Sequence, residues 1–344
     1  MANRGSFSVA MCTYNGEKYL PEQLASIATQ SRQPDELVVC DDASTDRTLE
    51  ILENFRGQVR FPVRIFVNEV NLGSTLNFEK AIRLCAEENI ALADQDDVWF
   101  VGKLERLGQL LESSSSIGAV FSDAVVVDSD LRPLGYRLWE ASYFGSRDQK
   151  RVNGGKGYDV LLNRNVVTGA TLAFRANLRK LILPLSPSWV HDGWIALIVA
   201  AHRDIAAVPE PLIYYRQHEE QQIGARRMGI GTKVALVLGD PRYASAWRHF
   251  LRPTAEQFIQ VERHFTSVLT DGYHIDATRM DLLKEKILHL QARETLPTRL
   301  WMRSHFVLRE LTRGHYHSYS GGWESAIWDL LRGAVRPWVS DRRA

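Results

Sequence analysis

The stretch "IALADQDDVWF", residues 90–100, places an apolar run directly before the carboxylates of Asp94, Asp96 and Asp97. The run predicts a buried strand, and like charges this close together repel one another unless a counter-charge meets them. In one interpretation Asp97 caps the next helix and the other two carboxylates are solvated. We favour a divalent cation, Mg²⁺ or Mn²⁺, which typically binds one or two carboxylates together with substrate phosphates.

Predicted strands and helices alternate before this stretch. Strands are expected at residues 7–13, 36–42 and 63–67, each followed by an amphipathic helix. The order βαβαβαβ predicts an α/β fold with a mainly parallel sheet and helices on both faces. In such sheets ligands bind beyond the carboxyl ends of the strands, where the carboxylate cluster lies.

The pattern changes in the second half of the chain. A helix is expected to begin near Asp192, and long helical patterns follow after about residue 225. We place a boundary within residues 225–240, where "GARRMGIG" supplies glycine and charge, and so expect a catalytic domain before it (1–225) and a C-terminal helical region after it (226–344). Further strand candidates lie at residues 170–175, 204–209 and 212–218.

Composition narrows the class of protein. The 344 residues carry a formal net charge of +1, which gives no reason to expect a nucleic-acid partner. The three cysteines form no disulfide or zinc pattern. The N-terminus lacks the apolar core of a signal peptide, and the longest apolar runs are too short to span a bilayer. We expect a soluble, cytoplasmic protein, or one peripheral to the inner face of the cell membrane.

Seven segments of the first 220 residues share their order and spacing with one known family. They are "MCTYNGEKYLPEQLASIATQS", "VVCDDASTDRTLEIL", "NEVNLG", "ALADQDDVWFVGKLE", "VTGATLAFR", "HDGWIALIVAA" and "YYRQH". Together they resemble family 2 glycosyltransferases, which have the nucleotide-sugar-binding fold called GT-A. The similarity is closest to bacterial enzymes of O-antigen and related surface-polysaccharide synthesis, often named rhamnosyltransferases.

The resemblance implies a nucleotide site in the first two loops. Thr13, Tyr14 and Asn15 would hold the base, with Tyr14 stacking on it, although Tyr14 could also be an ordinary surface aromatic. Asp42 would accept a hydrogen bond from N3–H, which suits uracil or thymine. Asp41 would cap the following helix, unless these two aspartates exchange roles.

The resemblance also implies a cation site. "DQDD" corresponds to the family's D-x-D motif, so Asp94 would contact the ribose and Asp96 would bind the metal, with Asp97 in support. Arg216 in "YYRQH" would meet the diphosphate. His218, two residues on, would be either a further metal ligand or a structural histidine.

Asp192 matches the acidic residue that acts as general base in inverting members of the family. Burial and nearby carboxylates would raise its pKa toward the working pH. The alternative is that Asp192 only caps the helix that follows it. His191 stands where relatives often carry another acidic residue, which leaves that contact undefined.

Two departures from the family refine the expectation. The arginine that many relatives carry after N-x-G is missing near Asn77, and the Q-x-x-R-W motif of processive synthases is absent. We therefore expect an inverting, non-processive enzyme that moves a sugar from a UDP- or dTDP-sugar to a hydroxyl of a saccharide, including a lipid-linked one. The alternatives are a sugar-1-phosphate nucleotidyltransferase and a non-catalytic nucleotide-sugar-binding scaffold.

The C-terminal region combines tryptophans with many arginines. The tryptophans are Trp301, Trp323, Trp328 and Trp338. We expect a helical subdomain that buries them. The alternatives are a surface that contacts anionic lipid, because aromatics and cations suit a membrane interface, and a contact with a second copy of the chain.

Overall fold

The computed structural model describes residues 4–218, 253–270 and 273–331. The chain divides into two compact units. The first consists of Met1–Leu161 and Val166–Arg226, and the second of Leu162–Asn165 and Arg227–Ala344. The boundary expected within residues 225–240 lies outside the described residues, so its position stays a prediction.

One sheet of nine strands organises the described part of the first unit. The strand order is β3-β2-β1-β4-β8-β6-β9-β5, and β7 pairs with β6. The strands are β1 (Phe7–Thr13), β2 (Glu36–Asp41), β3 (Val63–Val67), β4 (Asn89–Ala93), β5 (Val98–Trp99), β6 (Ile117–Val127), β7 (Pro133–Arg137), β8 (Leu172–Arg175) and β9 (Asp204–Arg216).

Parallel pairing brings the expected site loops together. β1 pairs in parallel with β2 on one side and with β4 on the other. In this register Thr13 lies opposite Asp41, and Met11 lies opposite Ala93. The loops that follow β1, β2 and β4 therefore leave the sheet at the same edge, as the sequence predicted.

The other half of the sheet is mixed. β8 runs antiparallel to both β4 and β6, whereas β9 is parallel to β6. The α/β fold with a mostly parallel sheet is confirmed. The prediction of two separate strands at 204–209 and 212–218 was wrong, because one continuous strand, β9, runs from Asp204 to Arg216. Its pairing with β6 shifts register between Ser122 and Asp123, which accommodates a segment in which Pro209 and Pro211 cannot donate ladder hydrogen bonds.

Helices surround this sheet and form the described part of the second unit. In the first unit they are α1 (Leu20–Ala28), α2 (Thr48–Arg56), α3 (Ser74–Leu84), α4 (Lys103–Ser113), α5 (Leu138–Ala141), α6 (Ser146–Arg151), α7 (Gly157–Asn163, which continues into the second unit), α8 (Arg179–Ile182) and α9 (His191–His202). In the second unit they are α10 (Ala255–Thr270), α11 (Ala277–Glu294), α12 (Leu300–Thr312), α13 (His315–Tyr319) and α14 (Trp323–Leu331).

The core follows the two-residue period of the strands. Phe7, Val9 and Met11 of β1 share one fully buried cluster with side chains of α1, α2 and α4. Alternate residues of β1 point to the opposite face of the sheet. There α3, in which Phe78 is buried, contacts β1 and β2. Helices therefore cover both faces of the parallel strands, and ligand access is left to the sheet edge.

The second unit does not bury its tryptophans as expected. A small core of Val307, Tyr316 and Ala326 joins α12, α13 and α14. Trp301 and Trp323 are 68% and 64% exposed, so the expectation of burial is wrong for these two. Trp338 lies outside the described residues. Across the residues that the structure describes, we find no helix with the length and apolar character needed to cross a bilayer.

Candidate functional site

Asp41 holds the turn that follows β2. It is fully buried, and its carboxylate accepts hydrogen bonds from Thr13 Oγ1 at 2.8 Å, Ser44 Oγ at 2.6 Å and Ser44 N at 2.9 Å. It does not cap α2, which begins four residues beyond Ser44. The carboxylate is thus occupied in joining the β1 and β2 loops.

Asp42 joins the same edge to the start of α3. Its carboxylate accepts from Asn68 Nδ2 at 2.7 Å and from the backbone N–H groups of Leu72 at 2.8 Å and Gly73 at 2.9 Å. Asn77 supports this arrangement, since it accepts from Asn68 at 2.9 Å and donates to a β2 carbonyl at 2.8 Å. A carboxylate has about four acceptor positions, so Asp42 can accept one further hydrogen bond.

Gln95 fixes the loop that carries Tyr14. Its Oε1 accepts from Tyr14 N at 2.8 Å, and its Nε2 donates to Tyr14 O at 3.0 Å. The Tyr14 side chain is 47% exposed. This backbone clamp leaves the ring at the surface of the edge. Sequence reasoning missed Gln95, although it is the second residue of "DQDD".

Asn15 links the first two loops through an unusual backbone conformation. Its φ is +47°, in the left-handed region that asparagine tolerates better than most residues. Its N–H donates to Ser44 Oγ at 2.9 Å, and its Oδ1 accepts from Thr45 N at 2.8 Å. Asn15 therefore shapes the loops, whatever it contacts in a ligand.

Carboxylates from two separate segments meet at this edge. Burial, followed by the negative charges of Asp96 and Asp192, raises the pKa of Asp94 to about 7, although Lys103 opposes the shift. The phenol of Tyr215 in β9 also lies within the electrostatic influence of these carboxylates. Burial raises the pKa of its phenol well above the ordinary value, and the four carboxylates add to the effect, those of Asp97, Asp94, Asp96 and Asp192. The fold has concentrated negative charge here.

Asp97 and Lys103 lie beneath this charge. Asp97 is fully buried, its Oδ1 accepts from Arg216 N at 3.0 Å, and its Oδ2 meets no hydrogen-bond donor within the described part of the chain. Burial and the charges of Asp96 and Asp94 raise its pKa well above the ordinary value. Lys103, also fully buried, donates to Ala170 O at 2.6 Å and lies 3.5 Å from the centre of the Trp99 ring.

His218 contacts the central carboxylate of the cluster. Its Nε2 lies 2.8 Å from Asp96 Oδ2, and its ring packs against Tyr19 with centroids 4.9 Å apart. Nδ1 of the same ring is buried and meets no hydrogen-bond partner among the described residues. The predicted pairing of Asp96 and His218 in one place is therefore present in the fold.

Arg216 is a clamp beneath the site. Its guanidinium donates to Asp96 O at 2.7 Å and to Ser129 O, forms an ion pair with Glu22 and lies over the Tyr19 ring. It is 1% exposed. Protein groups therefore already surround the guanidinium. The diphosphate contact expected of Arg216 stays a prediction. The sequence analysis predicted neither Tyr19 nor Glu22. Tyr19 is the N-cap residue of α1, and Glu22 lies in its first turn.

Asp192 lies in the first turn of α9 without capping it. The N-cap residue is Val190, and the Asp192 carboxylate accepts from Gly169 N at 3.0 Å and from Gly193 N at 2.5 Å. His191 faces the interior, stacked on Phe78 at 4.0 Å between ring centroids. Burial lowers the pKa of His191 to about 3, so this imidazole stays neutral.

The donor atoms at the end of β4 fit a divalent cation. Asp96 supplies a hard carboxylate oxygen, and His218 supplies an imidazole nitrogen 2.8 Å from it. Among the described residues, Asp94 does not join these two in a group whose ligand atoms all lie within 4.8 Å of one another. Burial, and after it the repulsion of neighbouring carboxylates, raises the pKa of Asp94, and a cation would relieve that repulsion. Two or three protein ligands also match Mg²⁺ and Mn²⁺ sites that are completed by substrate phosphates.

Residues 8–163 match the family model Glycosyl transferase family 2. The chain is 28% identical over 265 residues to dTDP-rhamnosyl transferase RfbG of Shigella flexneri, an alignment that covers 68% of this chain and 86% of the relative. It is 26% identical over 224 residues to an uncharacterized glycosyltransferase of Nostoc sp., covering 61% of this chain and 64% of the relative.

Among solved structures, this chain resembles residues 1–349 of S. aureus TarS, a structure in complex with UDP-GlcNAc. The TM-score is 0.55 at 18% identity, with 95% of this chain and 92% of that chain covered. This likeness supports the fold alone. The chain spans about three fifths of the length of several curated relatives it matches, 58% to 64%.

We predict that Arg216→Lys lowers the free energy of unfolding by roughly 2–4 kcal/mol, because lysine cannot reproduce the several hydrogen bonds of a buried guanidinium. Chemical denaturation measures this loss. The matched control is Arg132→Lys, whose ion pair with Asp130 is exposed and should contribute little. Unchanged stability together with weaker nucleotide binding would assign Arg216 to the ligand instead of the clamp.

Proposed function

Since residues 8–163 match the family model Glycosyl transferase family 2, we propose that this chain is an inverting, metal-dependent, non-processive glycosyltransferase. It moves one sugar from a UDP- or dTDP-sugar to a hydroxyl of a saccharide acceptor in bacterial surface-polysaccharide synthesis. The observation that carries this proposal is the convergence of Asp94, Asp96 and Asp192 at the carboxyl edge of the sheet. The similarity to a dTDP-rhamnosyl transferase supports a deoxythymidine or uridine donor.

The nucleotide binds over the first two loops. The exposed ring of Tyr14 stacks on the base, and the Gln95 clamp positions that ring. Asp42 accepts N3–H of uracil or thymine through its remaining acceptor position. Asp41 and Asp42 are both buried and each accepts three hydrogen bonds within the protein, so the choice of Asp42 rests on the family resemblance.

Asp96 and His218 would hold the divalent cation, Mn²⁺ or Mg²⁺, with Asp97 and Lys103 behind them, and Asp94 would contact the ribose. When bound, the cation neutralises negative charge on the departing nucleoside diphosphate. The chain's own contribution is positional. Arg216 fixes the backbone of Asp96, and the contact with Tyr19 orients the His218 ring.

Asp192 is the general base. Gly169 N and Gly193 N orient its carboxylate, and the start of α9 places it beside the negative cluster. It removes the proton of the acceptor hydroxyl while that oxygen attacks the anomeric carbon from the face opposite the diphosphate. The bond to the diphosphate breaks as the new glycosidic bond forms, so one displacement inverts the configuration.

The acceptor is proposed to be lipid-linked, because the second unit exposes an apolar surface. On α14, Trp323, Ile327 and Leu331 are exposed at a spacing of four residues, and on α12, Trp301 and Leu308 are exposed two turns apart. Arg309 and Arg313, near the end of α12, are also exposed. Aromatic, aliphatic and cationic side chains together suit the surface of an anionic bilayer.

The first prediction tests the cation. Asp96→Ala should weaken donor binding in the presence of Mn²⁺ by at least roughly 100-fold, more than the loss of an outer-shell partner causes. Calorimetry with UDP- and dTDP-sugars measures the affinity, with and without EDTA. Asp130→Ala, at a 63% exposed side chain, is the control and should bind normally. Full activity of the wild type in excess EDTA would refute the metal dependence.

The second prediction separates catalysis from structure at Asp192. Asp192→Asn keeps one carbonyl acceptor for the backbone N–H groups but cannot take a proton, so turnover should fall by about 10²–10⁴. Donor affinity should change little. Stopped assays of nucleoside diphosphate release with acceptor measure turnover. Near-normal turnover in the folded variant would exclude Asp192 as the general base. Release of pyrophosphate by the wild type would favour a nucleotidyltransferase.

The third prediction concerns the membrane surface. Replacing Trp301 and Trp323 together by serine should reduce binding to vesicles that contain anionic lipid by roughly tenfold or more. Flotation with phosphatidylglycerol vesicles measures the bound fraction. Leu288→Ser, at a 64% exposed position on α11, is the control and should bind as the wild type does. Equal binding of the double variant, or no binding by the wild type, would end the proposal.

A further inference from the structure

Three side chains of the second unit aim ligand atoms at one place. His289 of α11 and His315 at the start of α13 each direct Nδ1 at Oε2 of Glu310 in α12, at 2.8 and 2.9 Å. One ligand atom from each of the three residues lies within 4.8 Å of the other two. Among the residues that the structure describes, this is the one group of three histidine, cysteine or acidic side chains with such spacing.

We propose that His289, Glu310 and His315 form a zinc site, separate from the catalytic edge and independent of the proposed transfer reaction. Zn²⁺ binds imidazole nitrogen and carboxylate oxygen, and two histidines with one glutamate leave a fourth position for water. Ligand atoms around a tetrahedral zinc lie roughly 3.3 Å apart, given bonds of about 2.0–2.1 Å. The two nitrogens therefore need to move away from the oxygen by only about half an ångström.

The surroundings orient the ligands. Nε2 of His289 lies 3.1 Å from Ser320 Oγ, which also accepts from Arg293 Nη1 at 2.7 Å. A metal-bound histidine usually donates its second N–H to such a partner, which fixes the tautomer and the ring. Arg309 and Arg313 lie 3.6 and 3.9 Å from Oε1 of Glu310, and so leave Oε2 to face the histidines.

The site is enclosed but has an entry. The His289 side chain is fully buried, and that of Glu310 is 4% exposed, so an ion held there would be shielded from water. The His315 side chain is 24% exposed, which gives a route from solvent. The ligands come from α11, α12 and α13, so zinc would tie three helices together and stabilise the folded unit by mass action.

A purely hydrogen-bonded network of the same three residues is the competing explanation, and zinc dependence separates the two. The full chain is stripped with chelator and dialysed against Zn²⁺, and bound zinc is counted by elemental analysis. Asp96→Asn is the matched control, because it removes a ligand at the catalytic edge only. We expect this variant to retain one zinc per chain, and His315→Gln to bind zinc at least roughly tenfold more weakly at this site.

Thermal unfolding supplies a second readout. Zinc at 100 times its dissociation constant should raise the midpoint by roughly 5–10 °C in Asp96→Asn, and the rise should vanish when His315→Gln is combined with Asp96→Asn. If His315→Gln fails to fold, the visible spectrum of Co²⁺ bound to Asp96→Asn decides, since four-coordinate cobalt absorbs far more strongly than six-coordinate cobalt. No bound zinc in Asp96→Asn, or equal zinc affinity in His315→Gln, would overturn the site.

Discussion

The carboxylates at the end of β4 repel one another, and contacts with the surrounding fold hold them together despite this repulsion. Asp94, Asp96 and Asp97 follow a fully buried strand, so they cannot separate without moving the sheet. Lys103 lies beneath them, and Arg216 pins the backbone at Asp96. The negative charge that Lys103 and Arg216 do not compensate would attract a cation. Because the carboxylates are already in place, the loops would not need to rearrange when a cation binds.

The loops around this charge are cross-linked to one another instead of relying on a ligand for order. Asn15 ties the β1 loop to the β2 loop, Gln95 ties it to the β4 loop, and Asp42 ties the β2 loop to the start of α3. Each tie uses a side chain of one loop and a backbone N–H of another. Preorganisation of this kind lowers the entropy lost on binding, because fewer backbone groups need to be ordered.

The second unit uses buried polar groups differently. Lys286, Arg293 and Asp329 are largely buried there, and the Arg293–Asp329 pair lies beside the Tyr316 ring. Burial and the charge of Arg293 lower the pKa of Lys286 to about 7. A small apolar core leaves room for such a network, while the apolar side chains of α12 and α14 remain on the outside. This distribution fits the proposed membrane contact, which requires apolar side chains on the surface.

Local sequence patterns were enough to predict the parallel half of the fold and the sheet edge where the carboxylates lie. Local patterning sufficed there, because each strand of that half is a short apolar run ending in polar residues, and parallel pairing places such ends together. The antiparallel insertion of β8 and the unbroken β9 required the tertiary structure, since pairing partners far apart in the chain leave no local signal. Proline in β9 misled the prediction, because a register shift opposite it removes the penalty that proline normally carries in a strand.

At the site the same division holds. The spacing of Asp94, Asp96 and Asp97 after an apolar run predicted a cation site, because hard oxygen ligands suit Mg²⁺ and Mn²⁺. The role expected of Asp192 came from the resemblance to family 2 glycosyltransferases and not from its local pattern. Only the tertiary structure decided that Arg216 is enclosed by protein groups and that His191 stacks on Phe78. It also placed two histidines and a glutamate from three helices around one point. Those contacts join residues that are distant in sequence, and their energies depend on burial, which packing alone sets.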